Sequence, residues 1–596
     1  MKSSARGPGE RGSIRRGWQI GPEWLRAYRK GDLGADVVAG VTVATMLVPQ
    51  AMAYALLADL PVEVGLYASL LPVAVYALSG TSRFLSVGPV AMISLLVANA
   101  IGPLAGGDSS LAIELAVLLA LMVGVLQLAM GVLRAGFLVN FLSHPVLSGF
   151  TTAAAVVIGS SQLKHFMDVD VARTERPYQL FVELGSQLRD LNLVTLAVGV
   201  GAVVLLLGIP RLAGRRAKGV GVDGGTAPFW SKSGPLAVVI VGSLVAWFAG
   251  SSAGIPTVGE TPQGLPALRL PVVNATHLAA LLPTAVVISL VGFMESFAVA
   301  QALASKRRQR VDADRELVAL GVANLSAACS GAYPVTGGFS RSVVNFDAGA
   351  RTGLASLVTA AFMAGTLLFL TPLLVFIPNA VLAAIILVAL LTLIDFRELG
   401  HIWSYSRADG ACWLITFAGV LAISIEVGVL IGALASILFF LWRTSRPHVA
   451  TVGRVGESEH FRNIERHEVE LTERVLAIRV DESLYFANVR GLEERLLTTV
   501  STNPSIRHLL LICSGINFID ATGLRGLESC LSCLRDADVS LSLAEVKGPV
   551  SDRLAKSGFI ERIGQEHVFL STHEAMESLR QAESQRATAT SLRPVS

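Results

Sequence analysis

From about residue 35 to residue 446 the chain alternates long apolar stretches with short polar breaks. Many of the stretches reach the roughly 20 residues that a helix needs to cross the hydrocarbon of a bilayer. The pattern predicts about fourteen spans, at 35–57, 62–80, 86–103, 111–133, 138–160, 191–209, 235–250, 277–304, 313–330, 339–347, 353–371, 376–394, 411–425 and 427–443. Two of them are interrupted at corresponding places. The first interruption is Ser86-Val87-Gly88-Pro89-Val90-Ala91, and the second is Gly337-Gly338-Phe339-Ser340-Arg341-Ser342. Within a membrane, broken helices are tolerated only where they are buried in protein or line a cavity. A pair of such breaks in the two halves of a polytopic chain points to the site of a transported solute.

Loop charges set the orientation, because Lys and Arg accumulate on the cytoplasmic side. With the N-terminus inside, the loops after even-numbered spans carry Arg83, Arg134, Arg211 to Lys218, Lys306 to Arg310, Arg351, Arg397 with Arg407, and Arg443 with Arg446. Of the opposite loops, 103–110 has no Lys or Arg and 251–276 has only Arg269, while 168–190 is longer and mixed. An even span count with both termini cytoplasmic follows. Seven spans per half is an odd number, which makes the halves inverted repeats. Residues 1–34 read as a cytosolic arm, basic and then aromatic, with no cleavable signal peptide.

After residue 446 the pattern changes. Residues 447–463 are polar and linker-like, and from 464 to 581 short β-type runs alternate with helical ones. The runs 475–480, 508–513 and 539–546 read as strands, and 521–535 and 551–557 as helices, forming a small soluble α/β domain. Residues 582–596, rich in Ser, Thr and Ala, read as a disordered tail.

Composition agrees with a polytopic membrane protein: 52% of the 596 residues are hydrophobic and 16% are charged, below the quarter or so usual in soluble domains. The net charge of +3 is too small to suggest nucleic acid. The five cysteines form no disulfide framework, and Cys530-x-x-Cys533 lacks a second pair at zinc spacing. No GK[ST] phosphate loop, HExxH or nucleophile elbow occurs. The chain therefore reads as a gradient-driven transporter without a cofactor, not an enzyme.

Four features carry the chemistry. Arg341 is a cation inside a span, just after the flexible pair Gly337-Gly338. A helix start, free N–H groups and a guanidinium all favour an anion. The alternative is that Arg341 pairs internally, with Glu295 or Asp347. The run from Ser86 to Ala91 is a second half-helix start, with small residues that allow close backbone approach. Glu295 lies mid-span in Gly292-Phe293-Met294-Glu295-Ser296-Phe297 and is the candidate for proton coupling, or else a permanently paired structural carboxylate. Gln50 and Tyr54, one turn apart, present polar groups to one helix face, for a ligand or for helix–helix hydrogen bonding.

The run Pro49-Gln50-Ala51-Met52-Ala53-Tyr54-Ala55, with Pro61 and Gly65-Leu66-Tyr67 after it, resembles the signature of the SulP (sulfate permease) anion transporters. Gly80-Thr81-Ser82-Arg83, Ser86-Val87-Gly88-Pro89 and Phe339-Ser340-Arg341-Ser342 match further blocks of that family in order. The segment from Ser514 to Leu524 resembles the core of a STAS domain. The resemblance implies a fourteen-span inverted repeat divided into core and gate, a homodimer, and elevator-like alternating access. It also implies a substrate shell of Gln50, Tyr54, Val90, Ala91, Phe339, Ser340 and Arg341, with Glu295 at the coupling-ion position. A Glu there resembles the proton-driven sulfate branch and leaves sodium open. Where STAS antagonists of anti-sigma factors carry a phosphorylatable Ser after the Asp, this chain has Ala521. The expected function is proton-coupled sulfate uptake across the cell (inner) membrane. Bicarbonate or dicarboxylate transport, an anion channel and a membrane-anchored sensor are the alternatives.

Overall fold

The computed structural model describes residues 23–26, 28–141, 143–169, 192–219, 234–249, 254–259, 262–391 and 393–591. Most of the N-terminal arm, the loop 170–190 and the tail 592–596 lie outside the described residues. The chain divides into two units near residue 436.

The first unit is helical. Its helices are α1 (Leu33–Leu57), α2 (Val62–Ala68), α3 (Leu71–Ser79), α4 (Ala91–Ala105), α5 (Ser109–Val132), α6 (His144–Met167), α7 (Leu193–Gly219), α8 (Gly234–Ala249), α9 (Ala275–Lys306) and α10 (Ala313–Cys329). Then follow α11 (Phe339–Asp347), α12 (Leu354–Leu374, with a π-helical turn at Thr366–Leu370), α13 (Asn379–Leu390), α14 (Phe396–Tyr405), α15 (Arg407–Ala422) and α16 (Ile425–Thr444). Among the described residues, seven helical stretches are long and apolar enough to cross a membrane, with α2 and α3 counted together as Val62–Ser79, and four further apolar helices are shorter.

Three elements differ from the sequence expectation. The run 62–80 is two helices, because the chain turns at Ser69-Leu70 before Pro72 opens the next helix. The run 339–347 is a nine-residue helix, only about 14 Å long at 1.5 Å per residue, and it crosses nothing by itself. The loop after residue 394 contains an amphipathic helix, α14, started by Asp395, whose carboxylate accepts from the N–H groups of Arg397 and Glu398. Trp24, in the arm read from the sequence as cytosolic, is buried, and its Nε1 donates to the Ala77 carbonyl at 2.9 Å.

The breaks form β1 (Val87–Gly88) and β2 (Thr336–Gly337). Around them α1, α4, α9 and α11 pack against one another, and α10 packs along α5 and α3.

The second unit holds a six-stranded sheet, order β4-β3-β5-β6-β7-β8. The strands are β3 (Val449–Arg454), β4 (Phe461–Asn463), β5 (Val475–Val480), β6 (His508–Ile512), β7 (Ser540–Ala544) and β8 (Val568–Phe569). β3 runs antiparallel to β4 and β5, and β5 through β8 are parallel. The helices are α17 (Val489–Thr502), α18 (Ala521–Asp536), α19 (Gly548–Lys556), α20 (Phe559–Ile563) and α21 (Thr572–Ser591). Strand residues alternate between faces. Leu509, Leu511, Leu541 and Leu543 join one core with α17 and α18, while Leu510, Ile512 and Ala544 join another with Ala575, Met576 and Leu579 of α21.

Both edges of this domain extend beyond expectation. The stretch 447–463 supplies β3 and β4 instead of a linker, because Val449, Ala450 and Val452 bury against the sheet. The last helix continues to Ser591, where disorder was expected from residue 582. Glu583 anchors that helix, through His508 Nε2 at 3.0 Å and Arg474 Nη1 at 3.0 Å.

Candidate anion site

The two breaks pair with each other. Val87 lies opposite Gly337 and Gly88 opposite Thr336 in an antiparallel ribbon. Each strand runs into a helix, β1 into α4 and β2 into α11, so both helix starts hang from one short ribbon. Val90 and Gly338 occupy the N-cap positions in extended conformation, and neither start has a side-chain cap. The first N–H groups of a helix lack intrahelical partners, and the macrodipole places positive charge at the same end. Uncapped starts leave both effects available to a ligand.

Arg341 sits in the first turn of α11 with only 2% of its surface exposed. Its Nη1 donates to the Pro89 carbonyl at 2.6 Å, while Nε and Nη2 are buried without a partner. Glycines make room for the guanidinium: a Cβ on Gly338 would lie 2.7 Å from Nη2, and one on Gly88 would lie 3.3 Å from it. Gly88 also adopts φ +152°, a conformation that side chains disfavour.

Side chains lock the ribbon. Ser342 Oγ accepts from Ser86 N–H at 2.9 Å and donates to the Gly338 carbonyl at 2.7 Å. Asn345 donates to the Phe84 carbonyl at 3.1 Å. From α9, Ser296 Oγ accepts from Gly337 N–H at 2.8 Å, and Thr336 Oγ1 donates to the Gly292 carbonyl at 2.6 Å. These two bonds bracket Glu295, whose Oε2 is buried without a partner. Tyr54, Tyr333 and Glu295 lie within electrostatic reach of Arg341. Among the described residues no ion pair joins Glu295 to Arg341, so the guanidinium keeps two donors uncommitted.

The other expected residues fall as follows. Ala91 is buried and Val90 half-buried at the start of α4. Phe339 and Ser340 are exposed on the first turn of α11. Gln50 is buried on α1 with its Oε1 unpartnered, one turn from Tyr54, and α1 packs on both α4 and α11. The sequence reading missed Ser296, Thr336, Asn345 and the pair Ser94–Tyr333, whose hydroxyls lie 3.0 Å apart. Their signal in the sequence was only a polar side chain within or beside an apolar run. Among the described residues no group of His, Cys, Asp and Glu could hold a metal ion. In the second unit, Asp520 caps α18 by accepting from Gly523 N–H at 2.7 Å, and Ala521 follows it.

Comparison with known proteins agrees with this architecture. The family model described as "Sulfate permease family" matches residues 33–416, and a STAS domain model matches residues 466–575. Sulfate transporter 4.1, chloroplastic, from Arabidopsis thaliana is 37% identical over 93% of this chain and 81% of its own length. The probable sulfate transporter 4.2 of the same plant is 38% identical over 93% and 82%. The murine Slc26a9 anion transporter, solved in the inward-facing state, superposes with a TM-score of 0.87 at 25% identity, covering 94% of this chain and 93% of that one. Helices of membrane-spanning length, two paired half-helix starts and a C-terminal STAS domain thus occur together, and the chain belongs to the sulfate permease family, a family of multi-pass membrane transporters and not of enzymes.

Proposed function

We propose that this protein is a secondary active transporter that takes up a small inorganic anion, sulfate first among candidates, together with protons. One observation carries the reading: a buried guanidinium with two unpartnered donors lies beside a ribbon from which two uncapped helices start. Such donors favour an oxyanion, which accepts several charge-assisted hydrogen bonds at once. Sulfate is the favoured substrate because relatives at 37% and 38% identity bear that name. Gln50, Tyr54, Val90, Ala91, Phe339 and Ser340 complete the proposed shell.

Glu295 supplies the coupling. Ionised, it offsets the charge of Arg341 and repels an incoming dianion; protonated, it leaves Arg341 to the substrate. Anion and proton then bind together and leave together. The hydrogen bonds from Gly337 N–H to Ser296 and from Thr336 to the Gly292 carbonyl hold α9 against β2, which supports motion of these elements as one body in an elevator cycle. The loop charges support cytoplasmic termini in the cell (inner) membrane. A homodimer is part of the same reading.

Labelled sulfate uptake into proteoliposomes tests it. An inward proton gradient should drive accumulation, and unlabelled sulfate should compete better than bicarbonate or fumarate. Better competition by either of those reassigns the substrate, and drive by a sodium gradient alone reassigns the coupling ion. Downhill flux without accumulation makes the protein a channel.

A further inference from the structure

Two fully buried carboxylates, Asp36 and Glu316, lie outside the proposed shell, and Glu316 is the one that serves the segment leading to it. Glu316 stands in the first turn of α10, with none of its surface exposed. Its Oε1 accepts from Thr81 N–H at 2.7 Å, from Ser82 N–H at 2.9 Å and from the Thr81 hydroxyl. Its Oε2 accepts from the Tyr76 hydroxyl at 2.7 Å. Asp312 caps α10, which leaves Glu316 free for this work.

The segment that Glu316 holds leads straight to the anion site. Residues 80–86 between α3 and β1 have no helix or strand of their own. Buried backbone polar groups in such a segment need partners from elsewhere. Glu316 serves residues 81 and 82, Ser82 Oγ accepts from Leu85 N–H at 3.2 Å, Asn345 serves Phe84 and Ser342 serves Ser86. Pro89, three residues further on, carries the carbonyl that fixes Arg341. The location of the α4 start is therefore set by the ribbon and by side chains before it, and Glu316 makes the first of the side-chain attachments.

We propose that Glu316 is a positioning residue for the anion site. Without touching substrate, it fixes the turn Gly80-Thr81-Ser82-Arg83, and through it β1, the Pro89 carbonyl and the start of α4. The proposal rests on the transport reading above.

The test uses the full-length protein with Glu316→Ala, Glu316→Gln and Tyr76→Phe. A Gln amide can still accept from residues 81 and 82 and donate to Tyr76, so the expected order of effect is Ala above Gln, with Tyr76→Phe mildest. KM for sulfate should rise about tenfold or more in Glu316→Ala with the maximal rate within about twofold. Amide exchange should speed up across 81–90 and not across 318–329. Should Glu316→Ala fail to fold, Glu316→Gln and Tyr76→Phe carry the same test at smaller amplitude. Folded variants with unchanged KM and unchanged exchange across 81–90 overturn the proposal. If the unmodified protein takes up no anion, the transport reading fails, and exchange across 81–90 still decides the role of Glu316.

Discussion

Arg341 and Pro89 lie 252 residues apart in sequence, yet the guanidinium Nη1 donates to the prolyl carbonyl at 2.6 Å. The bond fastens one half-helix start to the other. Pro89 has no N–H to offer and contributes an acceptor at the point where a cation must be held in place. With Nη1 committed, Nε and Nη2 form an edge that is buried without a partner.

Replacing Arg341 by Ala should therefore greatly weaken anion binding. Each hydrogen bond from a charged group contributes about 1.5–3 kcal/mol, so losing two weakens affinity on the order of 100-fold or more. Arg341→Lys should fall between, since a single ammonium cannot hold Pro89 and present a planar fork together. Calorimetry with sulfate on folded variants checks both, and unchanged affinity removes Arg341 from the site.

Gly338→Ala should weaken substrate binding without unfolding the protein. The added methyl would lie 2.7 Å from Nη2, so the guanidinium has to shift. KM should rise roughly tenfold, in the range a displaced charge-assisted bond gives. A melting temperature close to that of the unmodified protein, measured alongside, separates this from general damage.

Glu295→Gln should disconnect uptake from an imposed proton gradient. The amide mimics the protonated acid and cannot shuttle a proton. Counterflow of labelled sulfate should survive while gradient-driven accumulation disappears. Accumulation that still follows the proton gradient would take Glu295 out of the mechanism.

The C-terminal helix should loosen in acid. Burial opposes ionisation of Glu583, but hydrogen bonds from His508 and Arg474 outweigh it and hold its carboxyl below the ordinary value of 4.5. A carboxylate lowered in the folded state contributes stability above its unfolded value and loses it as pH falls through the folded one. Amide protection across 572–585 should thus be steady near pH 7 and decline below about pH 4.5. In Glu583→Gln that decline should be smaller and the starting protection lower.

Much of this was legible along the chain. The apolar runs announced the membrane helices, the two breaks fell where β1 and β2 interrupt them, and the motifs around Gln50, Ser86 and Arg341 announced the family. Legibility failed where neighbours decide. Residues 447–463 look like a linker until β5 provides a strand for Val449 to pair with. Residues 582–591 look disordered until His508 provides a partner for Glu583. Glu316 reads as one more charge in the polar start of a helix, since nothing local distinguishes it from Asp312 or Asp314.

Residue order along the chain dictates which segments avoid water, where their helices break and which side chains carry charge. Those follow from hydropathy and backbone preference, which act within a few residues of each position. Packing in three dimensions was needed to pair the two breaks, to fasten Arg341 to Pro89 and not to Glu295, and to set Glu316 on the turn before β1. Such bonds join residues more than 200 positions apart, and the packing of α1, α4, α9, α10 and α11 alone brings their atoms within reach.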